Sequence, residues 1–229
     1  MTGYLRLPFP PVYSSHMAAI AYASRHFTVE MLGEIAGVGA SDRMYHHSAE
    51  NRLVEDFLGM ENATHIFLTE VDMLLPKETL VKLAALKQPI ASGVYYLRNG
   101  NGQPCLYVKG VTPPDNPYPH APVTMFPMDA PFCLSERGGG CPGLGCVLIE
   151  REVFKQVEYP WFDLAESRYG SDMYFYTKVR DAGIPVWCDP TIDIHQIDYR
   201  LWSRRDYEDR IKSDPAFAAS GYIIGSPRD

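Results

Sequence analysis

The chain has 229 residues, 46% of them hydrophobic, with a formal charge of -7 and a pI near 5.5. That length suits one α/β domain with a substantial core, and the acidic balance gives no overall pull toward nucleic acid or an anionic membrane, so an anionic substrate must be met locally. Five cysteines without a C-x-x-C pair, no basic-then-apolar leader and no apolar run near the ~20 residues of a membrane span exclude a disulfide framework, a zinc ribbon and a spanning helix, which makes a reducing cytoplasm the expected setting.

Tyr4 to Phe9 reads as a first strand running into a rigid loop of Pro8, Pro10 and Pro11. Ser14 and Ser15 can cap a helix carrying Met17, Ile20 and Ala21 on one face, and Thr28 to Ile35 reads as a second strand before Gly37 and Gly39. Between Ser48 and Met60, Leu53, Val54, Phe57 and Leu58 form the stripe of an amphipathic helix. It delivers the chain into His65–Thr69, a short β-branched and aromatic run that reads as a buried strand. Glu70 and Asp72 follow at its carboxyl end, the edge where open α/β sheets bind ligands. On extended backbone two acids at i, i+2 point the same way and suit a hard divalent cation. The competing reading has both acids merely solvated, with Asp72 helping to cap the helix begun by Pro76 and Glu78. That helix spans 77–87, and Ile90 to Tyr96 is a fourth strand. Such alternation predicts a mostly parallel central sheet flanked by helices.

From 99 to 142 the pattern dissolves into prolines and glycines, with short strand candidates at Leu106–Val111 and Val123–Phe126. Aromatic residues persist through this insert, which favours a substrate-facing loop over disorder. Gly138–Gly140 lacks the following Gly-Lys-Ser/Thr of a phosphate cradle and reads as a hinge. Order returns with Gly143 to Ile149, a buried strand, then a helix over Arg151–Val157. Ser171 can cap a helix ending near Gly183, which puts Asp172 in the first turn, where an acid also simply complements the helix dipole. Pro185–Cys188 is a further strand, and Ile192–His195 alternates into a histidine that needs outside support as a ligand. The tail, 196–229, is locally basic through Arg200, Arg204, Arg205 and Arg210.

In this order the pieces resemble the GT-A fold glycosyltransferases, and particularly the compact members similar to glycosyltransferase family 2 that use nucleoside-diphosphate sugars. Thr64–Pro76 resembles the strand and D-x-D element, Pro89–Tyr96 the following strand, and Gly143–Phe154 the "GxGxxLIxREVF" segment. Gly170–Gly183 resembles the E-D helix and Asp189–His195 the closing "DP-x-I-x-x-H" element. Two departures stand out. Glu70 replaces the first acid of D-x-D, and Ser171 replaces the usual Glu before the helical Asp, which bears on acceptor contacts.

The resemblance implies a metal-dependent, inverting glycosyltransferase (hexosyltransferase-like) acting on a UDP- or GDP-sugar and a hydroxyl acceptor. Asp172 would be the general base. Asp72 and His195, with Glu70 on the metal or the ribose, would hold Mn2+ or Mg2+, a mixed oxygen and nitrogen set favouring Mn2+. Leu7, Pro8, Phe9 and Pro10 would lie near the nucleobase. Gly143 and Gly145 would contact the donor, and the basic tail would fold over the diphosphate as a lid. The acceptor stays open among a glycan, a lipid-linked sugar, a protein and a modified DNA base. Two other functions compete: a catalytically inactive GT-A-like domain that binds a nucleotide or glycan, and a nucleotidyltransferase. The latter needs a Gly- and Lys-rich amino-terminal loop, which Leu7–Pro11 is not.

Overall fold

The computed structural model describes residues 3–6, 35–39, 45–70, 72–97, 102–109, 120–137, 139–164, 170–197, 201–220 and 222–224. The chain runs through β1 (Gly3–Arg6), β2 (Ile35–Gly39), α1 (His46–Leu58), β3 (His65–Thr69), the short β4 (Met73–Leu74), α2 (Thr79–Ala85) and β5 (Ile90–Gly93). Next come β6 (Tyr107–Lys109), β7 (His120–Met125), β8 (Phe132–Cys133) and β9 (Gly140–Cys141), with no α-helix among the described residues of this stretch. The last part holds β10 (Cys146–Glu150), α3 (Val153–Gln156), α4 (Ser171–Asp181), β11 (Val186–Asp189), β12 (His195–Ile197) and β13 (Leu201–Trp202). It ends with α5 (Arg204–Ser213), α6 (Pro215–Ala219) and β14 (Tyr222–Ile223).

The main sheet has seven strands in the order β2-β1-β3-β10-β5-β11-β8. Parallel pairing joins β2 to β1, β1 to β3 and β5 to β11; antiparallel pairing joins β3 to β10, β10 to β5 and β11 to β8. The expected mostly parallel sheet is therefore mixed. A parallel return needs a crossover, usually a helix. The stretch 94–145 instead supplies β6, β7 and β9 of a small sheet that β14 completes (β14-β7-β6-β9), and the chain comes back reversed as β10, wedged between β3 and β5. A third sheet, β13-β12-β4, lies at the carboxyl end of β3.

Alternation along the central strands feeds two separate cores. Ile66 and Leu68 of β3, with Val147 and Ile149 of β10, pack under Leu53, Val54 and Phe57 of α1 and Phe175 and Val179 of α4. Phe67 and Leu148 turn to the other face and pack with Leu80 and Leu83 of α2. With both faces covered, these strands read as continuous apolar runs. A third cluster joins the small sheet to the carboxyl-terminal helices through Val108, Val123, Phe126, Tyr207 and Phe217.

Arg151 locks the exit of α1. Its guanidinium donates to the carbonyls of Ala63 (2.7 Å), Leu58 (3.0 Å), Phe57 (3.1 Å) and Met60, and lies over the Phe57 ring. These include carbonyls a helix terminus leaves without intrahelical partners. Asn51 pins the other side of α1: its Oδ1 accepts the backbone N–H of Trp161 and Phe162 at 3.0 and 3.1 Å, and its Nδ2 donates to Phe162 O at 2.7 Å.

Several boundaries differ from expectation. Gly37 and Gly39, expected beyond the second strand, lie within β2, and the expected 14–24 helix lies outside the described residues. The cap of α4 is Gly170, so Ser171 is its first helical residue and is buried. In the tail, Tyr207 of α5 stacks on Tyr96 and Phe126 and donates to Thr124 O at 2.7 Å. Arg204, Arg205 and Arg210 pair with Glu208, Asp209 and Asp214, so the local basic charge is met by acids one helical turn on.

Candidate active site

A cavity of about 230 Å³ opens where the carboxyl ends of β3 and β5 meet the start of α4. Glu70, directly after β3, lines it together with Tyr95, two residues past β5. From α4 come Ser171 and Asp172, and from the opposite wall His46 and Glu50 of α1. Leu144 and Leu164 supply the apolar lining, Leu164 being 46% exposed.

Asp172 is placed by its helix. Its Oδ1 accepts the Met173 N–H at 2.8 Å, which fixes the carboxyl in the first turn. Burial pushes its pKa up; the Met173 bond opposes this, the charge of Glu50 adds to it, and His46 subtracts. A carboxylate that binds a proton more tightly than an ordinary aspartate is a better general base.

Leu144 reaches the cavity from a turn made by Gly143–Gly145. Gly143 has φ +69, and a Cβ there would stand 2.1 Å from Tyr95 Oη and 2.9 Å from Cys105 Sγ. At Gly145 a Cβ would meet Met73 Cε at 2.3 Å. Only glycine admits this left-handed turn packed so closely on Tyr95. The turn is held by three hydrogen bonds. Gly145 N–H donates to Tyr95 Oη at 3.3 Å, Thr69 Oγ1 donates to Gly145 O at 2.9 Å, and Tyr176 Oη donates to Gly143 O at 3.0 Å. Burial holds the Tyr95 phenol protonated, so it remains neutral beside the acids.

The two acids after β3 do not share a direction. Met73 N–H donates back to Glu70 O at 3.1 Å, so the backbone turns where an extended one was expected. Glu70 faces the cavity, whereas Asp72 Oδ2 accepts from Gln196 Nε2 at 3.2 Å. β12 pairs antiparallel with β4, His195 opposite Leu74 and Gln196 opposite Met73, and Ile197 N–H donates to Asp72 O at 2.8 Å. Because neighbours on a strand face opposite ways, it is Gln196 that meets Asp72. His195 Nε2 lies 3.2 Å from Asp193 Oδ1. Among the described residues no three His, Cys, Asp or Glu side chains gather as a metal site. As placed, Asp72, His195 and Glu70 do not fit a divalent ion as one ligand set. Leu7, Pro8, Phe9 and Pro10 lie outside the described residues.

The structure thus brings Glu70 and Asp172 to one cavity, with Leu144 between Gly143 and Gly145 on its lining, and sets Asp72 and His195 on the neighbouring β4–β12 edge. Sequence reasoning missed His46, Glu50 and Tyr95. A signal for Glu50 existed: it precedes Leu53, Val54 and Phe57 by three, four and seven residues, so it is an acid on the apolar face of α1, and it is 1% exposed.

No protein-family model matches the chain, and no curated protein matches it either. Among the described residues no helix is long and apolar enough to cross a membrane. Among solved structures, A197 from STIV superposes over 90% of this chain and 92% of its own, with a TM-score of 0.60 at 18% identity. GalNAc-T7, solved with UDP, GalNAc and Mn2+, superposes over 92% of this chain with a TM-score of 0.53 at 11% identity, this chain spanning 47% of that one. The likeness is one of fold: a mixed α/β domain of the kind seen in A197 and GalNAc-T7.

Proposed function

We propose that the protein is a glycosyltransferase that moves a sugar from a nucleoside-diphosphate sugar to an acceptor hydroxyl, with inversion. The observation that carries this reading is Asp172: a first-turn carboxylate on the wall of the cavity, made more basic by burial and seated beside Glu70. In the reaction the acceptor oxygen attacks C1 of the donor sugar from the face opposite the diphosphate. Asp172 takes the acceptor proton, and the bond from C1 to the diphosphate breaks with its electron pair leaving on phosphate. Glu70 orients ribose or sugar hydroxyls, and the Gly143–Gly145 turn lets backbone approach the donor closely. The donor's base lies toward Leu7–Pro10 in this reading.

A divalent cation, Mn2+ or Mg2+, would screen the diphosphate if bound, and Asp72 on its separate edge is the acid nearest that task by chain position. Because Asp72, His195 and Glu70 do not converge, no step here is routed through it. The test is a panel of UDP- and GDP-sugars scored by melting temperature, with and without Mn2+, and by donor turnover. A ligand that binds the native chain alone raises its stability, by about 2.7 kcal/mol at a hundredfold excess over Kd. If no nucleoside diphosphate or its sugar raises the melting temperature and none is turned over, the reading is wrong.

A further inference from the structure

The cavity holds a pair of groups that the proposed reaction does not yet use. Glu50 lies on α1 with its side chain wholly buried, and Nδ1 of His46, four residues earlier, is 2.7 Å from its Oε1. His46 itself has a 57% exposed side chain. Both line the same cavity as Asp172. A buried carboxylate is costly to keep unless something offsets it, and one on the apolar stripe of a helix is rare without a task. Here it is pinned at both ends. Leu53, Val54 and Phe57 bury the helix face that carries it, and Asn51 and Arg151 anchor the helix against the 160–163 and 57–63 segments.

We propose that Glu50 and His46 are positioning residues for the transfer: Glu50 sets its charge against Asp172 so that the base keeps the proton it takes from the acceptor, and His46, facing solvent, moderates that charge. This rests on Asp172 being the general base. The groups facing Asp172 bear it out chemically. Glu50 and His46 come from α1, and Glu70 from the end of β3. Tyr95, Cys105, Cys141 and Tyr176 are buried and held protonated, so they offer no competing charge at ordinary pH. Tyr107 is likewise held protonated by burial. Among the described residues, the charges able to tune Asp172 are thus those of Glu50, His46 and Glu70.

Glu50→Gln keeps the shape and a hydrogen bond to His46 while deleting the charge. The experiment titrates the Asp172 carboxyl by carbon NMR in the full chain, assigned through Asp172→Asn, in wild type, Glu50→Gln and His46→Gln. The same spectra report whether each variant is folded. The expected result is a fall of the Asp172 midpoint in Glu50→Gln and a rise in His46→Gln. The acidic limb of donor turnover should move with the midpoint, with KM for the donor unchanged. Midpoints and limbs unmoved in both variants, with Asp172→Asn inactive, overturn the positioning role alone. Normal turnover in Asp172→Asn removes the base, and with it the ground of this proposal. If Glu50→Gln does not fold, His46→Gln decides by itself, since its exposed side chain carries no core packing.

Discussion

Replacing Asp172 by Asn should make the protein inactive and, at neutral pH, more stable. The two effects have one cause. Burial raises the folded-state pKa of Asp172 above the value near 3.9 of an unfolded aspartate. A raised pKa means that the folded chain binds this proton more tightly. The resulting stability is complete below the unfolded value and is lost as the pH climbs through the folded one. At pH 7 wild type therefore bears the cost of a buried charge that Asn does not. The Met173 N–H bond survives in the variant, because the Asn side-chain oxygen can accept it as Asp172 Oδ1 does. Loss of the favourable helix-dipole contact, about 0.3 to 1 kcal/mol, subtracts from that gain. Turnover should fall by about 10² to 10⁴, or roughly 2.7 to 5.5 kcal/mol of barrier, with donor affinity nearly intact. The assay is a pair of melting curves at pH 7 and pH 3.5 beside donor turnover on the same preparation. Wild type should melt below the variant at pH 7 and level with it at pH 3.5. A variant that is less stable at pH 7 and turns over donor normally would mean that Asp172 only complements its helix dipole, and the reasoning fails.

Three further outcomes follow from particular contacts. Arg151→Lys keeps the charge but cannot span four carbonyls with one ammonium, so denaturant titration should show a loss of about 2 to 3 kcal/mol. Gly143→Ala forces a side chain onto φ +69 and into Tyr95 Oη; it should cost about 1 to 3 kcal/mol in the same titration and depress donor turnover, because the turn beneath the cavity must shift. Of the five cysteines, none disulfide-bonded, Cys133 alone is partly exposed, so a thiol reagent should label one site in the native chain. Burial raises the Cys133 pKa, so that labelling should stay slow through neutral pH and quicken as the pH rises; Cys133→Ser should abolish it, whereas two or more rapid labels would contradict the packing.

Much of the fold was legible because it rests on local pattern. Phe67, Leu68 and their neighbours form an apolar run too short for a helix, and Leu53, Val54 and Phe57 repeat at helical spacing; both appear where expected. What pattern does not encode is direction. A strand's apolar alternation is the same whichever way it runs, so Cys146–Glu150 gave no hint that it would enter the sheet reversed. The same limit explains Asp72. Spacing alone cannot tell an extended pair of acids from a turn, and one hydrogen bond from Met73 N–H to Glu70 O sends the two carboxylates apart. Glu50 was hidden differently: a single acid on an apolar stripe departs from the pattern by one residue, and pattern reading averages over it.

The reversed strand is also what makes the cavity. Had β10 followed β5 through a helical crossover, the residues preceding it would lie at the opposite edge of the sheet from Thr69. Because it runs antiparallel, its amino end meets the carboxyl end of β3, Cys146 opposite Thr69, and carries Gly143–Gly145 to the edge where Glu70 emerges. The irregular 94–145 stretch is therefore a structural requirement of the site. It returns the chain from the side on which β5 ends, and Tyr95 at its start clasps Gly145 near its finish. Helix α4 then seats Asp172 over that clasp, through Tyr176 Oη on Gly143 O. Asp172, the turn and Glu70 are thus joined by hydrogen bonds and packing from three elements far apart in sequence. Their geometry is set by strand direction, which no spacing between motifs records.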